Sequence, residues 1–396
     1  MVVVVIGVSI GLYFVFFKAE PAPDVTSPPI TGGEISGELP DGGTAGDRVP
    51  FVPGAPGELP TSVATPVAVG GVTQVTQLTL TGVSDPSLAP DGQSLNFYDP
   101  ADGKFYAVNK DGKTVTLLPN SYPNADEITW NRTGTNAIIE FPDGANIVVD
   151  FQTGDTHTLP QHWEDFDFSP NGQQIASKSI GVDPGNRWLV LSNPDGSSAQ
   201  TVAALGSNQD KVQVSWSPND QIVAFSDTGA LISGFGRKQI LPIGKNQENF
   251  PGLVVEGFSF EPLWSNDGSR LLYSTHGPTS SYQPQLWLVD AQSDTMGQNR
   301  RSVALNTWAD KCTYSTSTVV YCAVPQNLPA GSGLQRALAF GEPDTIYRVD
   351  TKTGSTIIVG TPETPTSMTS LVVSDDGETL YYQNALSGTI QQMQVR

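Results

Sequence analysis

Histidine and cysteine are scarce in this chain, three and two in 396 residues. The histidines (His157, His162, His276) are scattered, so the sequence lacks the ligand sets that structural or catalytic zinc needs, and neither a metal site nor a cofactor is expected. Basic residues are few as well. Twenty Lys and Arg against forty Asp and Glu leave a net charge of −20, which repels phosphate backbones and anionic headgroups and excludes nucleic acid as a partner. Neither a phosphate loop nor a Ser-His-Asp order at suggestive spacing is present.

Long apolar runs are limited to one. Val2 to Phe17 is uncharged and ends at Lys18. As a helix it would span roughly 24 Å, short of a ~30 Å hydrocarbon core. No basic residue precedes it, as expected if the true start lies upstream of Met1. A cleaved signal peptide is the rival reading, but Lys18 and prolines interrupt the small-residue stretch from Ala19 to Ala22, and no lipobox cysteine follows. A single-pass anchor over residues 1–18 is therefore expected. Gly7 and Gly11 have helix-packing spacing, common by chance in such runs. Gly7-Val-Ser-Ile-Gly11 also matches the serine-hydrolase elbow, which needs a strand-to-helix turn above a sheet and is a false positive here.

Residues 19–70 hold ten prolines and almost no aromatic side chains. Such a segment cannot bury enough apolar surface to offset ordering entropy, so a disordered tether of roughly 40 Å reach is expected.

From residue 71 onward a repeat appears: an apolar residue, a Ser/Pro/Asx/Gly turn, then a β-rich strand. The copies are Ser87-Leu-Ala-Pro-Asp-Gly92, Thr129-Trp-Asn-Arg-Thr-Gly134, Asp167-Phe-Ser-Pro-Asn-Gly172, Ser215-Trp-Ser-Pro-Asn-Asp220, Leu263-Trp-Ser-Asn-Asp-Gly268, a shortened Cys312-Thr-Tyr-Ser315, and Val372-Val-Ser-Asp-Asp-Gly377. Third and fourth strand signals follow each of the first six, and no helix is needed. This spacing predicts an all-β, seven-bladed β-propeller over residues 71–396. The last copy lacks a fourth strand, and the segment 72–80 is expected to supply it and close the ring.

These turns resemble the WD-repeat-like propellers of the Tol-system periplasmic protein (TolB-like) and of tricorn and prolyl-oligopeptidase-type peptidases. The resemblance covers residues 71–396 and implies fold far more than function. In the peptidases the chemistry sits in a separate hydrolase domain, and nothing here is long enough to be one. Arg132 and the shortened Cys312 hairpin depart from the family turn, which leaves six or eight blades open.

Trp130, Trp216 and Trp264 share one repeat position with Leu88, Phe168 and Val373, which points to inter-blade packing. Trp188 and Trp287 fall in third strands. Trp163 and Trp308 begin blades, where exposure at a rim is open. Cys312 and Cys322 flank a short hairpin and are expected to face each other as a disulfide, which would put the propeller in an oxidising space. The loops Pro242 to Glu261, Ser274 to Gln285 and Ala323 to Thr345 fall on one face and carry Phe250, Phe258, Tyr282, Leu334, Leu338 and Phe340 as candidate contacts.

Together these readings describe a propeller held on the extracytoplasmic side of the cytoplasmic membrane. It would bind a protein or other envelope ligand as a scaffold. The alternative is a lyase or glycosidase acting on cell-surface polysaccharide, with Asp165, Glu261 and Asp310 converging at a central channel. An Asn131-Arg-Thr133 sequon is also present.

Overall fold

The computed structural model describes residues 63–396 except Phe235. The anchor expected over residues 1–18 and most of the linker lie outside the described residues. Among those described, no helix is long and apolar enough to cross a membrane, and helical structure is confined to short 3-10 turns.

Seven antiparallel sheets follow one another. From centre to rim, blade 1 is Ser84–Leu88, Leu95–Asp99, Lys104–Val108 and Thr114–Thr116. Blade 2 is Glu127–Trp130, Asn136–Glu140, Asn146–Asp150 and Thr156–Leu159. Blade 3 is Trp163–Phe168, Ile175–Ile180, Arg187–Ser192 and Gln200–Ala204. Blade 4 is Val212–Val214, Ile222–Ser226, Arg237–Gly244 and Leu253–Glu256. Blade 5 is Phe258–Trp264, Arg270–His276, Pro284–Asp290 and Arg301–Ser302. Blade 6 is Cys312–Thr316, Val319–Pro325, Asp344–Asp350 and Thr356–Pro362. Blade 7 is Met368–Val373, Thr379–Asn384 and Ile390–Gln394, with Thr76–Gln77 as its outermost strand. First strands of blades 6, 7, 1, 2, 3 and 4 lie against one another in turn, and that of blade 5 lies against the 3-10 turn Ala309–Lys311 that leads into blade 6, so they surround a common axis.

The closing segment is two strands, where one over 72–80 was expected. Thr76–Gln77 pairs antiparallel with Ile390–Gln394, and the Leu78 N–H adds a 2.8 Å bond to the Ile390 carbonyl. Val72–Thr73 instead pairs parallel with the outer strand of blade 6, so the chain steps from one blade edge to the next and covers both. Order also begins before residue 71. The Thr65, Ala68 and Gly70 N–H groups donate to Val72, Gln394 and Val359 carbonyls, which removes residues 65–70 from the tether.

The repeated turn has a definite chemistry. Ser169, Ser217, Ser265 and Ser374 are buried, and each hydroxyl donates to the Asx two residues on at 2.5–2.8 Å. Each also accepts from the backbone N–H five residues on at 2.9–3.0 Å. One side chain thus satisfies the donors of a tight turn that water cannot reach. Glycine then takes a left-handed φ near 68° in blades 3 and 5, and Asp220 takes the same conformation in blade 4. Its carboxylate is held by the Trp216 indole N–H and by Lys245, each at 2.8 Å. Asn131 does the serine's work in blade 2, accepting from the Thr135 and Asn136 N–H groups. Buried in this way, it is no glycan acceptor.

Core clusters are shared between blades; one joins Leu272 and Leu286 of blade 5 to Val320 and Val349 of blade 6. Trp130, Trp216 and Trp264 pack there with indole N–H groups bonded to the Asp85 carbonyl, the Asp220 carboxylate and the Ser215 hydroxyl. Trp163 and Trp308, for which rim exposure was open, are both buried. Cys312 and Cys322 are direct cross-strand partners in blade 6, closed as a disulfide.

Candidate functional site

Strand direction divides the ring into two faces. First-to-second and third-to-fourth connections form one, called here the turn face. Second-to-third and fourth-to-first connections form the other, the loop face. Eight exposed large apolar side chains sit on the loop face: Leu80, Val182, Leu231, Phe258, Leu334, Leu338, Phe340 and Leu386. The other exposed ones, among the described residues, are on outer strands or in the segment before the closing strand, and none is on the turn face.

Five of the six candidate contacts are therefore on one face, and Phe250 is not. The expected loop from Pro242 to Glu261 is largely strand, and Phe250 lies in the third-to-fourth connection of blade 4, on the turn face. It is half-buried against the core shared with blade 5.

Residues 326–343 of blade 6 form the largest loop-face element. It is strapped to blade 5: the Gly331 and Gly333 N–H groups donate to the Ser281 and Tyr282 carbonyls at 2.9 and 2.7 Å, and Gln283 donates to the Leu328 carbonyl. A Cβ on Gly333 would stand 2.4 Å from the His276 Cβ, so only glycine permits this approach. Phe258 and Tyr282 flank the buried His276, with ring centroids at 6.1 and 6.5 Å. Past the strap, the 3-10 turn Arg336–Ala339 lays the Arg336 guanidinium 4.7 Å over the Trp308 ring, and Arg336 pairs with Asp310 at 2.7 Å.

Beside that turn is a pocket of about 260 Å³ between blades 6 and 7, walled by Trp308, Arg336, Phe340, Ser367, Gln383 and Ala385. Lys311 closes its floor through a buried pair with Asp344 at 2.7 Å, and Asp344 also accepts from the Met368 N–H at 2.6 Å. Burial lowers the lysine and raises the aspartate, and their mutual bond opposes both shifts. Leu386 stands against Gly341 at the pocket's outer edge.

Across the axis the loop-face end of the channel is acidic. Glu127 and Glu140 are direct cross-strand partners, so two like charges face each other at the start of blade 2. Asp85 and Asp165 flank them from blades 1 and 3 at β-bulges, each with a left-handed φ, 50° and 57°. Such strain in a non-glycine residue persists only where its surroundings hold it. Burial, then Glu127, pushes Asp85 up to about 6. Burial, then Glu127, Asp165 and Glu164, pushes Glu140 up to about 7. Lys178 lies 3.1 Å from Asp165 and 3.6 Å from Glu164. Of the three acids expected to converge, Glu261 and Asp310 interact across blades 5 and 6, with Glu261 raised by burial and then by Asp310. Asp165 belongs to the group on blades 1 to 3.

Loop length as a guide missed Leu386, Val182 and Leu80, because they sit in short connections, and it passed over Leu231 as well. The acids did leave a signal. Asp85, Glu127, Asp165 and Glu261 each lie three residues before the repeat's apolar anchor, at Leu88, Trp130, Phe168 and Trp264.

No family model matches this sequence, and no curated protein matches it. Solved structures resemble it in fold. An oligogalacturonate lyase from Vibrio parahaemolyticus aligns with a TM-score of 0.56 at 13% identity, over 81% of this chain and 93% of that one. A β-propeller domain of Cps50 from Myceliophteria thermophila gives 0.53 at 12% identity, covering 81% of this chain and 100% of that one. The tricorn protease gives 0.51 at 10% identity, over 81% of this chain and 34% of that one. Identities this low carry the fold alone. At that level the chain is a seven-bladed β-propeller of the WD-like and tricorn-like kind that its turns suggested.

Proposed function

We propose that this chain is a binding scaffold of the cell envelope, tethered through its N-terminal apolar run, whose loop face docks a protein partner. One observation carries the reading: among the described residues, every exposed large apolar side chain in a connection between strands lies on the loop face, with a pocket among them. Apolar groups gathered on one side of a rigid ring, rimmed by polar residues, are what partner contact requires. The Cys312–Cys322 pair supports an oxidising location outside the cytoplasm. The uncharged apolar run from Val2 to Phe17 supports the anchor.

The test is photo-crosslinking in intact cells with a reactive side chain at Phe340 or Leu386, against one at Thr353 on the turn face. A discrete adduct from the loop-face sites alone is expected. Equal labelling from both faces, or none from either, overturns the reading.

An enzyme is the second reading, favoured by the strained carboxylates at the channel mouth and by likeness to an oligogalacturonate lyase. The charge argues against a polyanionic substrate. Asp85, Glu127 and Glu140 have no Lys or Arg within ion-pair distance among the described residues, and would repel a uronate chain. A neutral glycan is the substrate class this site would tolerate.

A further inference from the structure

We infer that the partner is a protein segment bearing both basic and apolar side chains, whose cation enters the acidic channel mouth while its apolar residues rest on the loop-face rim. This rests on the loop-face reading above and adds the chemistry of the occupant. The apolar rim alone would fit many partners, and charge complementarity narrows them.

The mouth gathers carboxylates that, Asp165 apart, have no Lys or Arg within ion-pair distance among the described residues. Glu127 and Glu140 oppose each other in register, Asp85 and Asp165 flank them at bulges on either side, and Lys178 with the Val214 N–H engages only Asp165 and Glu164 among these acids. Glu140 has one carboxylate oxygen buried and without any hydrogen-bond partner. A buried acceptor left open is costly unless something else fills it, and an inserted ammonium or guanidinium would do so. The acids sit at the starts of first strands and the end of a second strand, the same end of the ring that carries Phe258, Phe340 and Leu386. A net charge of −20 steers basic partners toward the molecule, and the focused field of the mouth gives them a fixed point of entry.

The experiment measures binding of fluorescent synthetic peptides to the full chain in non-ionic detergent by anisotropy. One peptide alternates Leu and Lys, a second has Glu in place of Lys, and a third has Ser in place of Leu. The Leu/Lys peptide is expected to bind at least about tenfold tighter than either of the others. Glu127→Gln with Glu140→Gln should cost about tenfold in that affinity. The turn-face pair Asp111→Asn with Asp155→Asn, an equal change of net charge, should leave it within about twofold. Equal affinity for the Leu/Lys and Leu/Glu peptides, or equal loss in the two double variants, overturns the inference while a loop-face crosslink at Phe340 keeps the docking reading. Absence of binding by all three peptides also overturns it. Absence of the crosslink as well removes both.

Discussion

Carboxylates on the two faces of the ring behave in opposite ways. On the turn face, the Thr353 N–H lowers Asp350 and the Ser374 hydroxyl lowers Asp376. At Asp150 and Asp267, burial pulls upward and is outweighed by backbone and hydroxyl donors of the turns. On the loop-face side, burial and neighbouring acids raise Asp85, Glu127, Glu140 and Glu261. Apolar exposure divides along the same line. The turn face is thus a set of satisfied hydrogen-bond donors and acceptors that holds hairpins shut, and the repeat is written there. The loop face departs from the repeat and keeps groups that lack partners. Closure of the fold lies at one end of the strands and, on the reading proposed above, recognition at the other.

Blade 6 breaks this division in an instructive way. Its first-to-second connection lacks the buried serine, and the disulfide from Cys312 to Cys322 crosses the same two strands. The bond ties the start of the first strand to the second, away from the turn that joins them. Replacing both cysteines by alanine should cost about 3 kcal/mol, the chain-entropy value for so short a loop, seen as a lower urea midpoint. A smaller loss is expected from Ser265→Ala in blade 5, which leaves the Arg270 N–H and one Asp267 contact unmade. About 2 kcal/mol is the cost of such a buried group. If Ser265→Ala changed stability no more than Phe340→Ser on the loop face, the turns would not be what holds the ring.

The same division explains what could be read in advance. The repeat is local: Ser-Pro-Asn-Gly turns and two-residue periodicity lie within a few residues of each other, so blade number, strand order and closure by an N-terminal strand were legible. The cysteine pair was legible because two residues flank one hairpin. Phe250 was misplaced because Pro242 and Gly252 read as loop, whereas Arg237–Gly244 is a strand that tolerates Pro242 in its length. The division of 72–80 between two blades depends on where Gln74 and Val75 cross a gap, which no local pattern encodes. The bulges at Asp85 and Asp165 are set by packing of neighbouring first strands. Their acids, however, recur three residues before the anchor, so a search by repeat position would have found them.

The smallest expected effect tests the comparison of carboxylates most directly. Glu140 is raised by burial and by acidic neighbours from its ordinary range to about 7. Below the unfolded value both states carry the proton, and the group has no effect on stability. As pH rises toward 7 the unfolded chain ionises first, so folding holds a proton that unfolding releases, and stability falls through this window. Above 7 the penalty is complete. Allowing for solvent at a half-buried position, it amounts to about 1 kcal/mol. Glu140→Gln should then match the parent near pH 4.5 and exceed it by about 1 kcal/mol at pH 8 in urea unfolding. Asp150 has the opposite sign. Its lowered carboxyl stabilises the fold above the unfolded value and loses that contribution as pH falls, so Asp150→Asn should weaken the protein at pH 8 and converge with it in acid. Parallel pH curves for the two variants would mean that the faces do not differ in how they treat charge, and that the mouth has no field for a cation to answer.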